Sequence, residues 1–114
     1  MKVRKYIADT LERDGAMLFA LIDPVDHASK ERAAEAAFQA CEGGADLVLI
    51  GGSIGAQGAL LDETTKLIKE MVNVPIVLFP GNIATITPFA DAVYFMSLLN
   101  SRNPYWISQA QTLA

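Results

Sequence analysis

At 114 residues, 52% hydrophobic and 19% charged, the chain holds one domain at most and has the apolar content for a buried core, which excludes a disordered tail. Nine basic residues against thirteen acidic ones leave a net charge of −4, which argues against nucleic acid as a partner. No apolar run nears the ~18–20 residues of a membrane span. The single cysteine, Cys41, makes no internal disulfide, which fits a reducing cytoplasm.

Residues 2–13 pattern as an amphipathic helix, with Val3, Ile7 and Leu11 on one stripe and Gly15 as the stop. Asp9, Glu12 and Arg13 interrupt any signal-peptide core. A strand over 17–22 follows and ends on Asp23-Pro24. Ser29 is the expected N-cap of a helix over 30–42, although Arg32 leaves the capping box incomplete. Gly43-Gly44 closes that helix, whose inner face takes Ala34, Ala37, Phe38 and Cys41, so the cysteine reads as core filler.

A second strand over 46–51 runs into Gly51-Gly52-Ser53, and Asp62 is the expected cap of a helix over 63–72. A third strand, Ile76–Phe79, stops at Pro80-Gly81-Asn82. A brief helical turn is expected near Thr85–Phe89, then a fourth strand over 92–96, and Asn103-Pro104 opens another helix. The first three strands begin about 30 residues apart, the length of one β/α unit. Continuous apolar strands alternating with helices read as a parallel α/β sheet. The layout is half a (β/α)8 TIM barrel, which typically needs about 250 residues. A chain that stops inside a helix at Ala114 reads as a truncated amino-terminal half, 1–114, of one barrel domain; a small open sheet that stands alone is the alternative.

In such folds the carboxyl ends of the strands share one rim, and the rim holds the ligand. Asp23 stands there as a carboxylate that needs a cation, donors or solvent. Its ordinary role is to accept backbone N–H bonds in the next turn; its chemical role is to hold Mg²⁺, which takes one or two protein oxygens plus substrate phosphates. Ser53 brings a hydroxyl from the neighbouring strand end, and Gly51 and Gly52 can turn amide hydrogens toward phosphate oxygens. Phe79 stands at the rim of the third strand, and Tyr94, Phe95, Met96, Leu98, Leu99, Tyr105 and Trp106 form an unusually apolar and aromatic stretch around the fourth. Core packing accounts for part of that, yet an apolar surface beside a phosphate site suits an amphiphilic ligand. His27, next to Asp26, reads as a solvated loop residue, and neither a Walker loop nor a GxGxxG fingerprint is present.

Four segments carry a family resemblance: Leu21-Ile22-Asp23-Pro24, Gly51-Gly52-Ser53, Leu78-Phe79-Pro80-Gly81-Asn82, and the run from Tyr94 through Ile107. Together they make the chain resemble the amino-terminal half of the geranylgeranylglyceryl phosphate synthase family. The resemblance implies a (β/α)8 barrel that joins geranylgeranyl diphosphate to sn-glycerol 1-phosphate in ether phospholipid synthesis. It implies Mg²⁺ held at Asp23 and Ser53, and prenyl contacts at Phe79, Leu99, Tyr105 and Trp106. It also places the glycerol-phosphate site and the catalytic base on later strands, so this chain alone is expected to be inactive. The expected partners are the two substrates, a membrane surface touched peripherally, and further copies of the protein. Val25 stands where the family often has a second acidic residue, with Asp26 one later, and Ser108 stands where a glycine is usual. Two other readings compete: another phosphate-binding barrel such as an isomerase or aldolase, and a non-catalytic half-barrel that self-assembles.

Overall fold

Four apolar runs pair side by side in a computed structural model that describes residues 2–52, 58–80 and 87–94. They are β1 (Phe19–Ile22), β2 (Leu47–Gly52), β3 (Ile76–Pro80) and β4 (Ala92–Val93), in the order β1-β2-β3-β4 and parallel throughout. Helix α1 (Lys2–Asp14) precedes the sheet, α2 (Lys30–Glu42) joins β1 to β2, and α3 (Gly58–Met71) joins β2 to β3. Parallel neighbours joined by helical crossovers are the β/α units that the spacing predicted.

The register puts Ile22, Ile50 and Leu78 in one row and Val48 with Ile76 in another on the same face. These five side chains are buried and form one cluster with Ala33, Ala34 and Ala37 of α2 and Leu61, Ile68 and Val72 from α3 onward. Each strand therefore turns alternate residues to the helix layer, and the three fully buried alanines let α2 approach the sheet closely. Cys41 packs half-buried against the cluster, and burial first, then the charge of Glu42, pushes its thiol up from the ordinary value. That agrees with its reading as filler.

The caps follow the sequence in α2 and depart from it in α3. Ser29 Oγ accepts from the Arg32 N–H at 3.2 Å, and Gly44 leaves the helix at φ +113°, where a side chain would be strained. Asp62, in contrast, is not a cap, because α3 begins at Gly58 and carries Asp62 inside it. The earlier start brings Leu61, Thr64, Thr65 and Ile68 onto the buried face, at i, i+3, i+4 and i+7. Thr65 satisfies its hydroxyl by donating to the Leu61 carbonyl at 2.7 Å. The stripe of α1 is also rotated by one position: Thr10 is buried while Leu11 is 45% exposed.

Helix α1 lies across the amino-terminal ends of the strands. The Tyr6 hydroxyl donates to the Asp46 carbonyl at 2.7 Å, and Asp46 also accepts the Leu18 N–H on its carboxylate at 3.0 Å. A cavity of about 650 Å³ lies at this end, between Lys2, Val3 and Tyr6 of α1 and Pro75, Asp91 and Ala92 at the strand starts. Asp91 ties β4 to its neighbours: it accepts from Lys69 Nζ and, at 2.9 Å, from the Ile76 N–H. Burial works to raise its pKa, but the bonds from Lys69 and Ile76 and the charges of Lys69 and Lys2 outweigh it, so the net shift is below the ordinary carboxylate value. A depressed pKa stabilises the fold above the ordinary value and is lost as pH falls through the folded one. Urea midpoints of the chain and of Asp91→Asn are therefore expected to differ at pH 7 and to converge below about pH 4.

Candidate functional site

The carboxyl ends of the strands place three of the predicted rim residues, Asp23, Gly51 and Phe79, at one height. Asp23 stands one residue past the Ile22–Ile50 pair, level with Gly51; Gly51 pairs with Phe79, and Tyr94 stands level with Phe79, its N–H donating to the Leu78 carbonyl at 2.7 Å. By alternation all four belong to the face turned away from α2 and α3. The row therefore reads carboxylate, glycine, aromatic, aromatic across the full width of the sheet.

Asp23 is half-buried, and its Oδ1 accepts from the Val25 N–H at 3.3 Å, capping a short 3-10 turn over Pro24–Asp26. The turn-capping role read from the sequence is thus present. It is a long bond to one oxygen, and a carboxylate offers about four acceptor positions. Among the described residues no lysine or arginine pairs with Asp23, and no three His, Cys, Asp or Glu side chains gather to hold a metal. A carboxylate with open acceptor positions is the kind of donor that a hard cation takes alongside water and phosphate oxygens. His27 follows the 3-10 turn as its C-cap and is half-buried.

Gly51 is buried, and a Cβ built on it would come to 3.0 Å from Leu21 Cδ1. The missing side chain is what lets Leu21 lean across the row from β1. Phe79 and Tyr94 stack at 5.4 Å between ring centroids with a tilt of 41°, inside the range of favourable aromatic pairs. They remain 49% and 57% exposed, and Leu21 is 62% exposed, so an apolar wall lies open beside the carboxylate. Tyr94 and Leu21 were not among the site residues expected from sequence. The signal that finds them is register: each is in, or one step below, the row that Phe79 and Gly51 define.

Ser53, Leu99, Tyr105 and Trp106 lie outside the described residues, as do Asn82, residues 95–96 of the expected fourth strand and the helix expected after Asn103. Gly52 pairs with Pro80 at the last rung of the sheet, directly beyond the Gly51 row.

Comparison with known proteins adds to this geometry. The model of the PcrB family matches residues 10–114. Geranylgeranylglyceryl phosphate synthase of Methanosarcina acetivorans is 50% identical over 99% of this chain and 45% of its own length. The enzyme of the same name from Thermococcus kodakarensis is 49% identical over 98% of the chain and 44% of its own. Among solved structures, (S)-3-O-geranylgeranylglyceryl phosphate synthase of Thermoplasma acidophilum, in complex with its substrate sn-glycerol-1-phosphate, superposes with a TM-score of 0.82 at 35% identity. That match covers 93% of this chain and 43% of the other. Wild-type GGGPS from Thermoplasma volcanium gives 0.80 at 39% identity over 86% and 39%. The chain thus spans somewhat less than half the length of the relatives it matches.

Proposed function

The chain belongs to the PcrB family, and on that premise we propose that its strand-end rim is the prenyl-diphosphate half of a prenyltransferase site. The reaction joins geranylgeranyl diphosphate to sn-glycerol 1-phosphate: the glycerol hydroxyl forms a C–O bond to the allylic carbon as the bond to diphosphate breaks, and diphosphate leaves. One observation carries the reading. A single row of the sheet sets the Asp23 carboxylate and the exposed Phe79–Tyr94 pair on either side of a residue without a side chain. That is the polarity of the ligand itself, a charged head continuous with a long hydrocarbon tail.

Asp23 and Ser53 would hold Mg²⁺, with the remaining positions filled by water and diphosphate oxygens. When bound, the cation neutralises charge on the departing diphosphate. Gly52, beyond the Gly51 row, would let the head group approach the backbone, and Phe79 and Tyr94 would exclude water from the allylic end of the tail, a role we extend to Leu99, Tyr105 and Trp106. We assign the glycerol-phosphate site and the proton acceptor to strands beyond the residues matched here, so the chain alone is expected to bind the diphosphate without completing the transfer. A product with one long apolar tail partitions into a bilayer, so peripheral contact with a membrane surface belongs to the same reading.

The test separates head from tail. Phe79→Ala and Tyr94→Ala are each expected to weaken geranylgeranyl diphosphate binding by about tenfold, roughly 1.4 kcal/mol of lost apolar contact. Binding of inorganic diphosphate, measured in the same calorimetric titration with Mg²⁺ present, should stay unchanged. Equal losses for both ligands would contradict a tail-binding wall.

A further inference from the structure

Gly51 is a glycine that its backbone conformation does not require. Its φ is not positive, unlike those of Gly15 and Gly44, and it pairs with Phe79 in the regular ladder of β2. A glycine inside a strand weakens it, and where conformation does not explain one, a close approach by another group does. The approach here comes from β1. Apart from its chain neighbours, the atoms within 4 Å of a Cβ built on Gly51 are Cδ1 of Leu21 at 3.0 Å and Cγ of Leu21 at 3.9 Å. Leu21 itself pairs with Leu49, Leu49 with Val77 and Val77 with Ala92, so the row one step below the rim row, on the same face, is apolar from β1 to β4. From that lower row Leu21 leans across into the space that Gly51 leaves. Its methyl thereby stands in the gap of the rim row, between Asp23 on its own strand and Phe79 on the far side of Gly51.

Building on the prenyl-diphosphate reading of the rim, we propose that Leu21 seats the first isoprene unit of that ligand, the unit that carries the reacting carbon. A ligand whose diphosphate meets a cation at Asp23 and whose tail reaches Phe79 and Tyr94 must cross the place between them. Under that crossing lies the Leu21 methyl. The ligand atoms there are the oxygen of the breaking bond, the allylic carbon and the double bond beside it. A branched apolar side chain beneath them adds close contact and fixes the height at which the carbon is presented. Height matters, because a misplacement of about 1 Å in a reacting geometry can cost about 100-fold in rate. Gly51 is then the spacer that keeps Leu21 in place, since a Cβ there would push the leucine aside. The apolar work is divided: Leu21 takes the first unit, and Phe79 with Tyr94 takes the tail that follows.

Two ligands isolate that unit in calorimetric titrations with Mg²⁺ present. Dimethylallyl diphosphate carries the first isoprene unit and nothing beyond it, and inorganic diphosphate carries none. The parent chain is expected to hold the allylic ligand more tightly. Leu21→Ala should reduce that preference by about fivefold while the affinity for inorganic diphosphate stays unchanged. Leu21→Met, which keeps the volume, should preserve most of it. Gly51→Ala should lower the preference as Leu21→Ala does, yet cost little more when added to Leu21→Ala, because the side chain it displaces is already gone. The two Leu21 variants decide the question even where Gly51→Ala does not fold. A folded parent chain that binds neither ligand contradicts the prenyl-diphosphate reading and removes this role with it. A parent that binds both, with its preference intact in Leu21→Ala, overturns the role of Leu21 alone. So does a parent that holds the two ligands equally tightly, or a loss of equal size for both.

Discussion

Asp23→Asn is expected to weaken magnesium-dependent binding of geranylgeranyl diphosphate by about 100-fold or more while leaving the melting temperature nearly unchanged. The two effects separate because the side chain has two jobs. As a turn cap it uses Oδ1 to accept the Val25 N–H at 3.3 Å, and an asparagine oxygen accepts that bond equally well. As a ligand it supplies the charge, and the amide removes it. Changes at residues that merely support a metal ligand cost about 10–100-fold in metal affinity, so loss of the ligand itself should reach the top of that range. Calorimetric titration of both proteins with Mg²⁺ in excess, beside their thermal melts, checks it. A loss under about threefold would assign Asp23 to the turn alone.

The largest effect on stability is expected at Ile50→Ala. Ile50 is 1% exposed in the middle of the buried row between Ile22 and Leu78, and the same cluster contains Ala33, Ala34 and Ala37 of α2. Truncation of a buried isoleucine costs about 2–5 kcal/mol, and the upper part of the range applies where neighbours cannot collapse into the space. Alanines have no flexible atoms to move inward, so most of the cavity persists. Against the ~5–15 kcal/mol that holds a typical domain together, this is a large share. The urea midpoint should fall with the slope unchanged, measured at one chain concentration because association would shift both. A cost below about 1 kcal/mol would mean that the Ile22–Ile50–Leu78 row is not sealed by the helix layer.

The strands were legible because both of their faces are apolar, the one turned to the helices and the one turned away, which leaves unbroken apolar runs. Phe19–Ile22, Leu47–Gly52 and Ile76–Pro80 each fall within a residue or two of the runs that announced them. The Ser29 cap was legible for a local reason, a hydroxyl three residues before the N–H it binds. The start of α3 was hidden by two threonines. Thr64 and Thr65 are both buried on its inner face, so the helical period from Leu61 to Ile68 does not appear as an apolar pattern, and Asp62 looked like a beginning. Thr10 in α1 misled in the same way, drawing the stripe onto Leu11 instead.

At the site, each strand-end cluster could be read singly, but the row that joins them is a matter of register. That Asp23, Gly51, Phe79 and Tyr94 stand level follows from inter-strand pairing, which no local window contains. Tyr94 was therefore read as part of an aromatic stretch and missed as the partner of Phe79, 15 residues away in sequence and 5.4 Å away in space. The register offset is 28 residues from Ile22 to Ile50 and from Ile50 to Leu78 but only 15 from Leu78 to Val93, so a spacing carried forward from the first units misses it.

As proposed, the rim receives a prenyl diphosphate through a cation held at Asp23. Titration of geranylgeranyl diphosphate into the chain, once with Mg²⁺ and once with a chelator in its place, tests it most directly. Saturable binding with one ligand per chain, present with Mg²⁺ and lost with the chelator, is the result expected. A folded chain that binds nothing under either condition, or binds equally tightly under both, would contradict it.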